Sequence, residues 1–215
     1  MKQSSIEQLR SGIAQIGLAL PAEAEEKFQA YLALLAKWNR SYNLTAVRDE
    51  TLMVSQHVLD SLVVLPHIVT SGGKAASLAD VGSGGGLPGI PLAIARPQLE
   101  VALIESNHKK ASFLQQAKIE LKLNNVSIHC VRAEAFKPEK LFEMVISRAV
   151  SSLADLIRLG SHLLVPGGRL LVMKGDLQDD EIAQVQGDWR ITQNIPLQVP
   201  ELQAQRKLIV IEKTG

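Results

Sequence analysis

The run Asp80-Val81-Gly82-Ser83-Gly84-Gly85-Gly86-Leu87-Pro88-Gly89-Ile90-Pro91 constrains this chain more than any other segment. The preceding Ala75-Ala76-Ser77-Leu78-Ala79 reads as the approach to a buried strand, and residues 90–95 read as the start of a helix. Five glycines lie in the run. Lacking a Cβ, they let the backbone take φ > 0 and let a ligand lie directly against the chain. Pro88 and Pro91 suit a first helical turn, where a missing N–H has no intrahelical partner to lose. Strand, glycine loop and helix start, in that order, form the mouth of a nucleotide-type cofactor site at the end of a parallel strand.

Gly84-Gly85-Gly86-Leu87-Pro88-Gly89 satisfies the G-x-G-x-x-G dinucleotide pattern, which is a weak signal alone. Asp80 changes the reading: Asp-x-Gly-x-Gly-x-Gly resembles the first motif of class I S-adenosylmethionine-dependent methyltransferases. The bland alternative is a turn that only reverses the chain. The next strand, Glu100-Val101-Ala102-Leu103-Ile104-Glu105, ends in a carboxylate 25 residues after Asp80. There a cofactor ribose would present its hydroxyls. Nicotinamide cofactors and S-adenosylmethionine share that ribose, so Glu105 does not separate them, and it can equally be read as a solvated strand-end charge.

With 215 residues, 46% hydrophobic and 21% charged, the chain is expected to be a soluble domain with an appendage. No apolar run approaches the length of a membrane span, and the opening Met1-Lys2-Gln3-Ser4-Ser5-Ile6-Glu7 lacks the apolar core of a secretion signal. A cytoplasmic location is therefore expected. A single cysteine excludes a disulfide framework and a cysteine-based metal cluster. The formal net charge of +1 provides no basic footprint for nucleic acid. Lys109, Lys110, Lys118 and Lys122 do gather locally, either as a solvated helix face or as an RNA contact.

Helical spacing covers residues 4–19 and 22–38, the second carrying Phe28, Leu32, Leu35 and Trp38 on one stripe. A third helical stretch is expected over about 49–69, closed by a loop at Ser71-Gly72-Gly73. From there strands and helices alternate, as in a parallel sheet covered on both faces. Strands are expected at 76–81, 99–104, 126–131, 143–147 and 169–174, with Val165-Pro166-Gly167-Gly168-Arg169 as the turn into the fifth. Residues 194–199 and 208–212 read as a closing antiparallel pair.

Two later strand ends carry further candidates. Arg132-Ala133-Glu134 lies where an adenine ring would meet the loop, with Ala133 leaving room for it. Ser147-Arg148-Ala149 lies at the lip where the reacting group would sit, and Arg148 can hold a phosphate or base edge bidentately. Either segment can also be a plain surface loop. Lys174-Gly175 ends the fifth strand on the cofactor side. For the methyl acceptor, exocyclic base amines are disfavoured, because Ser147-Arg148-Ala149 is unlike the Asn/Asp-Pro-Pro-aromatic loop commonly used there. A pyrimidine carbon needs a cysteine nucleophile, and Cys130, expected inside an apolar strand, reads as a buried inert thiol. His57, His67, His108, His129 and His162 show no metal-ligand spacing, so no metal is expected. Guanine N7 carries no proton and needs no general base, so the sequence permits it as acceptor.

Trp38-Asn39-Arg40-Ser41-Tyr42-Asn43-Leu44-Thr45-Ala46 and His57-Val58-Leu59-Asp60-Ser61-Leu62, together with the glycine run, resemble the RsmG (GidB) family. Glu105-Ser106-Asn107 with Lys109-Lys110 and Phe113-Leu114, Ser147-Arg148-Ala149, and Arg206-Lys207-Leu208 continue the similarity over essentially the whole chain. The resemblance implies an α/β class I methyltransferase fold, Rossmann-like, with a seven-stranded mostly parallel sheet and an antiparallel last strand. A helical extension over 1–73 would pack on a core over 74–215. It implies S-adenosyl-L-methionine as donor, S-adenosyl-L-homocysteine as product, and N7 of one guanine, position 527 in the 530 loop of 16S ribosomal RNA, as acceptor. Cofactor contacts would fall on Gly82, Leu87, Ala133, Glu134 and Arg148, with Asp80, Gly84 and Glu105 as general class I positions. Arg148 and Lys174 are the candidates for positioning the substrate, without a general base. A monomer acting on 16S RNA in the 30S subunit or an assembly intermediate is expected.

Asn39, Asn43, His57 and Asp60 can be capping and packing groups that join the helices to the sheet, or the wall of an RNA-facing cleft. Two other functions stay open: a nicotinamide-dependent oxidoreductase using the literal G-x-G-x-x-G, and a non-catalytic S-adenosylmethionine-binding regulator. Asp80 and the lack of a recognisable hydride-transfer pair stand against the first; turnover on RNA separates the second.

Overall fold

The computed structural model describes residues 3–68, 76–148, 150–175 and 177–214. The loop expected at Ser71-Gly72-Gly73, the boundary after residue 73, Ala75 and Ala149 lie outside the described residues. The chain begins with α1 (Gln3–Ile16) and α2 (Ala24–Tyr42). The third helical stretch is not one helix. It runs as α3 (Glu50–Met53), a π-helical segment (Val54–Leu59) and α4 (Asp60–Leu62), then a 3-10 turn (Leu65–His67). Apolar spacing does not distinguish these windings, so the pattern read as continuous.

The alternating part follows as β1 (Ser77–Val81), α5 (Gly89–Ala95), β2 (Glu100–Ile104), α6 (His108–Glu120), β3 (Val126–His129) and β4 (Phe142–Ser147). Then come α7 (Leu153–Gly160), β5 (Leu164–Lys174), α8 (Asp179–Ala183), β6 (Trp189–Leu197) and β7 (Arg206–Lys213). The sheet order is β3-β2-β1-β4-β5-β7-β6. Neighbours from β3 to β5 are parallel, while β7 runs antiparallel to both β5 and β6. The expected closing pair is thus present, with the last strand inserted inside its predecessor.

Burial on both faces explains the continuous apolar runs of the central strands. Leu78 faces a core shared with Leu9, Phe28, Leu32, Leu35, Leu59 and Leu62, so the N-terminal helices cover that side of the sheet. Ala79 and Val81 face the other core, with Val145, Leu170 and the α7 residues Leu153 and Leu156. The expected turn over 165–168 is a bulge within β5: Phe142 pairs with Leu164 but Met144 with Arg169. Gly167 there takes φ +77°. Cys130 is a correction: β3 ends at His129, and the thiol is exposed, 3.2 Å from His108 Nδ1.

Candidate active site

The glycine loop is tied to the C-terminal ends of both strands that flank it. Gly82 N and Ser83 N donate to Ile104 O at the end of β2, at 2.9 and 3.2 Å. Ser83 Oγ donates to Asp80 O at 2.8 Å. Glu105 accepts from Gly84 N at 2.9 Å through one oxygen and from Asn107 N at 2.8 Å through the other. A carboxylate has further lone pairs on both oxygens, so Glu105 can still receive two hydroxyls. Asp80, fully buried, accepts from Gly89 N at 3.0 Å through Oδ2. Its Oδ1 has no partner among the described residues.

That environment shows in its proton affinity. Burial pushes the Asp80 carboxyl up to about 7, against the opposing pull of the Gly89 N–H, Arg148 and Ser83. The ligand-free native state therefore holds this proton more tightly than the unfolded chain, and Asp80 subtracts stability increasingly from about pH 4 to pH 7. His57 is shifted the other way, to about 4, chiefly by burial, so it adds stability as pH rises from about 4 to 6.5. Asp80→Asn removes the first contribution alone. Its unfolding free energy in urea should gain on the wild type's steadily from pH 4 to pH 7; a pH-independent difference would contradict the buried protonated carboxyl.

The loop is also held from the helical layer. Tyr31, on the stripe between Phe28 and Leu35, is fully buried and donates its hydroxyl to Gly85 O at 2.6 Å. A buried tyrosine hydroxyl requires a partner, and that was the signal available in the sequence. Tyr31→Phe leaves the Gly85 carbonyl without this donor. About 1–2 kcal/mol of stability should be lost, with weaker cofactor binding; unchanged urea midpoint and affinity would show that the bond is idle.

A second concavity of about 330 Å³ opens where β4, β5 and β7 meet the π-helical segment, lined by Gln56, His57, Asp60, Arg148, Met173, Lys174, Gly175 and Arg206. Asp60 is almost completely buried and pairs with two arginines: Arg148 Nη1 at 3.1 Å and Arg206 Nε at 2.9 Å. Arg148 Nη1 also donates to Gln56 O at 2.9 Å, in the π-helical stretch, a winding that recurs at functional sites. Lys174 is held by Glu181 at 2.6 Å, so its charge is already matched. Among the described residues, one carboxylate thus serves two guanidinium groups.

The sequence candidates therefore divide. Asp80, Gly82, Gly84 and Glu105 converge on one loop, with Leu87 buried at its far end. Ala133 opens a 3-10 turn after β3, and the exposed Glu134 lies 3.8 Å from Arg158. Arg148 and Lys174 face the second concavity. Asn39 and Asn43 are structural: Asn39 Nδ2 donates to Val47 O and its Oδ1 accepts from Thr45 N, while Asn43 caps α2 with φ +49°. His57 and Asp60 both pack and line the concavity. Lys109 Nζ stands 5.9 Å above the Tyr42 ring. Among the described residues no group of three His, Cys, Asp or Glu side chains is placed to hold a metal, and no helix is long and apolar enough to cross a membrane.

The parts fit a nucleoside-bearing methyl donor: an orphaned buried carboxylate oxygen, an acid at the tip of β2, and Gly84, where a Cβ would meet nothing nearer than Gly82 O at 3.8 Å. Together with a reversed seventh strand they define a class I methyltransferase. Solved structures of that class match the fold. The mitomycin 7-O-methyltransferase MmcR superposes with TM-score 0.63 at 14% identity, covering 98% of this chain and 67% of that one. The O-methyltransferase TomG from Streptomyces achromogenes, solved in complex with SAM, gives 0.58 at 17% identity over 100% of both chains. Sequence comparison is more specific. The model of the rRNA small subunit methyltransferase G family (GidB) matches residues 24–210. The ribosomal RNA small subunit methyltransferase G of Laribacter hongkongensis is 49% identical over 203 residues, 94% of this chain and 96% of its own. That of Aromatoleum aromaticum is 50% identical over 209 residues, 95% and 97% respectively. The chain belongs to the rRNA small subunit methyltransferase G family.

Proposed function

We propose that this protein transfers the methyl group of S-adenosyl-L-methionine to N7 of one guanine in the 530 loop of 16S ribosomal RNA, leaving S-adenosyl-L-homocysteine. It would act as a cytoplasmic monomer on the 30S subunit or an assembly intermediate, with residues 1–73 as a helical extension packed on a core over 74–215. Family membership supports the reaction class. The observation that carries the acceptor is the second concavity, which among the described residues brings cations together without a competent base. Its carboxylate, Asp60, is committed to two arginines, and its imidazole, His57, is a poor proton acceptor because burial lowers its pKa to about 4. Guanine N7 needs no base.

The donor, when bound, supplies an electrophilic methyl carried on a sulfonium sulfur. In the proposed roles, Asp80, Gly82, Gly84 and Leu87 shape the cofactor loop and Glu105 receives the ribose hydroxyls. Ala133 and Glu134 border the adenine, and Arg148 stands between cofactor and acceptor. Transfer forms the N7–CH3 bond from the ring lone pair and breaks the S–CH3 bond; the positive charge passes to the base and no proton leaves. The protein's work is then orientation, which alone can supply several kcal/mol of the barrier. Because Lys174 is engaged by Glu181, Arg206 joins Arg148 as the substrate-side cation. The test is transfer of labelled methyl to 30S subunits from cells lacking the modification, with the product mapped. A single 7-methylguanine in the 530 loop is expected; tight cofactor binding with no transfer to RNA would overturn the proposal.

A further inference from the structure

The four lysines around α6 have two readings, a solvated helix face or a contact with RNA, and their positions divide them. Lys118 lies in the last turn, where the helix dipole favours a cation, and Lys122 lies beyond the helix. Lys109 and Lys110 lie in the first turn, about 14 Å along the axis from Lys118. There the dipole opposes a positive charge, and the turn holds no acidic residue to offset it. Neither lysine forms an ion pair among the described residues. The backbone N–H groups of this helix end are spent: Asn107 Oδ1 accepts from Lys109 N at 2.9 Å and from Lys110 N at 3.2 Å. What the turn offers outward is its two ammonium groups. Their place is tied to the glycine loop, since Asn107 N donates to Glu105, whose other oxygen accepts from Gly84 N.

Lys109 meets an exposed aromatic ring. Tyr42, the last residue of α2, is 44% exposed, and Lys109 Nζ stands 5.9 Å from its centroid, at the outer limit for a cation over a ring. The ring is anchored from below: Trp38 lies 5.3 Å from it, and Phe113, fully buried on α6, lies 5.7 Å from Trp38. Tyr42 is thus the outer rung of an aromatic ladder that starts in the core. The chain after it leads across the site. A Cβ on Gly85 would stand 3.9 Å from Leu44 O, and Thr45 Oγ1 lies 2.9 Å from Nε2 of His57, which lines the second concavity. Tyr42 and Thr45 are three residues apart, at most about 11 Å. A strand with one base in the second concavity can therefore set a neighbouring base on Tyr42.

We propose that Tyr42 is the stacking platform for a base flanking the acceptor in single-stranded ribosomal RNA, and that Lys109 pairs with the phosphate of that nucleotide. The inference rests on the RNA reading above and adds where the strand is held outside the acceptor concavity. Every base has a π-face, so a ring here grips the strand without reading its sequence. A base arriving on the face under Lys109 replaces a loose cation contact by a stack, the stronger of the two. The displaced ammonium then neutralises a phosphate and releases its counterion. A formal net charge of +1 conceals this contact, because the cations it uses are local. Packing alone would ask only for an apolar side chain over Trp38, and that difference supplies the test.

Tyr42→Phe keeps the flat ring, Tyr42→Leu keeps apolar cover for Trp38 without it, and Lys109→Gln keeps the stem without the charge. Equilibrium affinity for unmodified 30S subunits, with S-adenosyl-L-homocysteine present, is measured for each across a series of potassium chloride concentrations. S-adenosylmethionine binding is measured alongside. Tyr42→Leu should bind subunits about tenfold more weakly, the scale of one lost stack, with Tyr42→Phe within about twofold of wild type. Lys109→Gln should flatten the slope of log affinity against log salt by about 0.7, the share of one phosphate on a single strand. A Tyr42→Leu loss shared by Tyr42→Phe or by cofactor binding, or no loss at all, would overturn the platform. An unchanged slope in Lys109→Gln would overturn the phosphate contact. Wild-type protein that binds no subunits would instead sink the RNA reading itself, and the platform with it.

Discussion

Alanine at Gly86 should cost about 3 kcal/mol or more of stability and remove detectable methyl transfer. Gly86 takes φ +83°, where an L side chain is strained by about 1–3 kcal/mol. Its Cβ would stand 2.4 Å from Ile90 Cδ1 and 3.1 Å from Leu114 Cδ2. Both side chains are fully buried, so neither can swing into solvent, and overpacking of that kind costs another 1–3 kcal/mol or so. Gly84 provides the contrast. Its φ is +56°, but a Cβ there meets nothing nearer than Gly82 O at 3.8 Å. Gly84→Ala should therefore stay within about 1–2 kcal/mol of wild type and still lose cofactor affinity, because the added methyl occupies the open face of the loop. Urea unfolding and equilibrium binding of S-adenosylmethionine separate the two. A wild-type urea midpoint for Gly86→Ala would refute the packing argument.

Asp60→Ala should destabilise the protein by about 3 kcal/mol and lower transfer by about a hundredfold. Both arginines would lose their shared carboxylate, leaving cations about three-quarters buried without a counter-charge among the described residues. Their partial exposure places the cost at the lower end of the range for a broken buried pair. Asp60→Asn keeps one acceptor oxygen without the charge and should fall between. Replacing Arg206 by methionine in the Asp60→Ala background should cost much less than Arg206→Met alone, since the contact is already gone. Additive losses in that cycle, or an Asp60→Ala protein within about half a kcal/mol of wild type, would show that the pairings contribute nothing.

The grouping of the proposed cofactor residues was largely legible in the chain. Asp80, the glycines and Glu105 lie within one strand–helix–strand unit, and local order dictates their proximity. The proposed acceptor half was harder. Asp60 meets Arg148 across 88 residues and Arg206 across 146, and no local pattern records such a pairing. Tyr31 hid inside an apolar stripe, where its hydroxyl was the only clue. Lys174 was read as a substrate contact, and its ion pair with Glu181, on the helix after the strand, left no mark in the local pattern. Cys130 was misplaced for a simpler reason: the expected strand, 126–131, outlasts the observed one by two residues. The early part of β6 was missed although Trp189 and Ile191 alternate with the exposed Arg190 and Thr192: on this outer strand the former two are only half-buried, and the alternation breaks at Gln193.

Strand order also sets a timetable for synthesis. β6 leaves the ribosome before β7, yet β7 lies between it and the rest of the sheet, so β6 has no edge to join until the last strand is made. Arg206 opens that last strand and completes the pairing with Asp60. The loop residues from Asp80 to Glu105 and the tyrosine that pins them all emerge in the first half of the chain. A nascent molecule thus carries the makings of its proposed methyl-donor site long before the wall proposed to hold its RNA is complete.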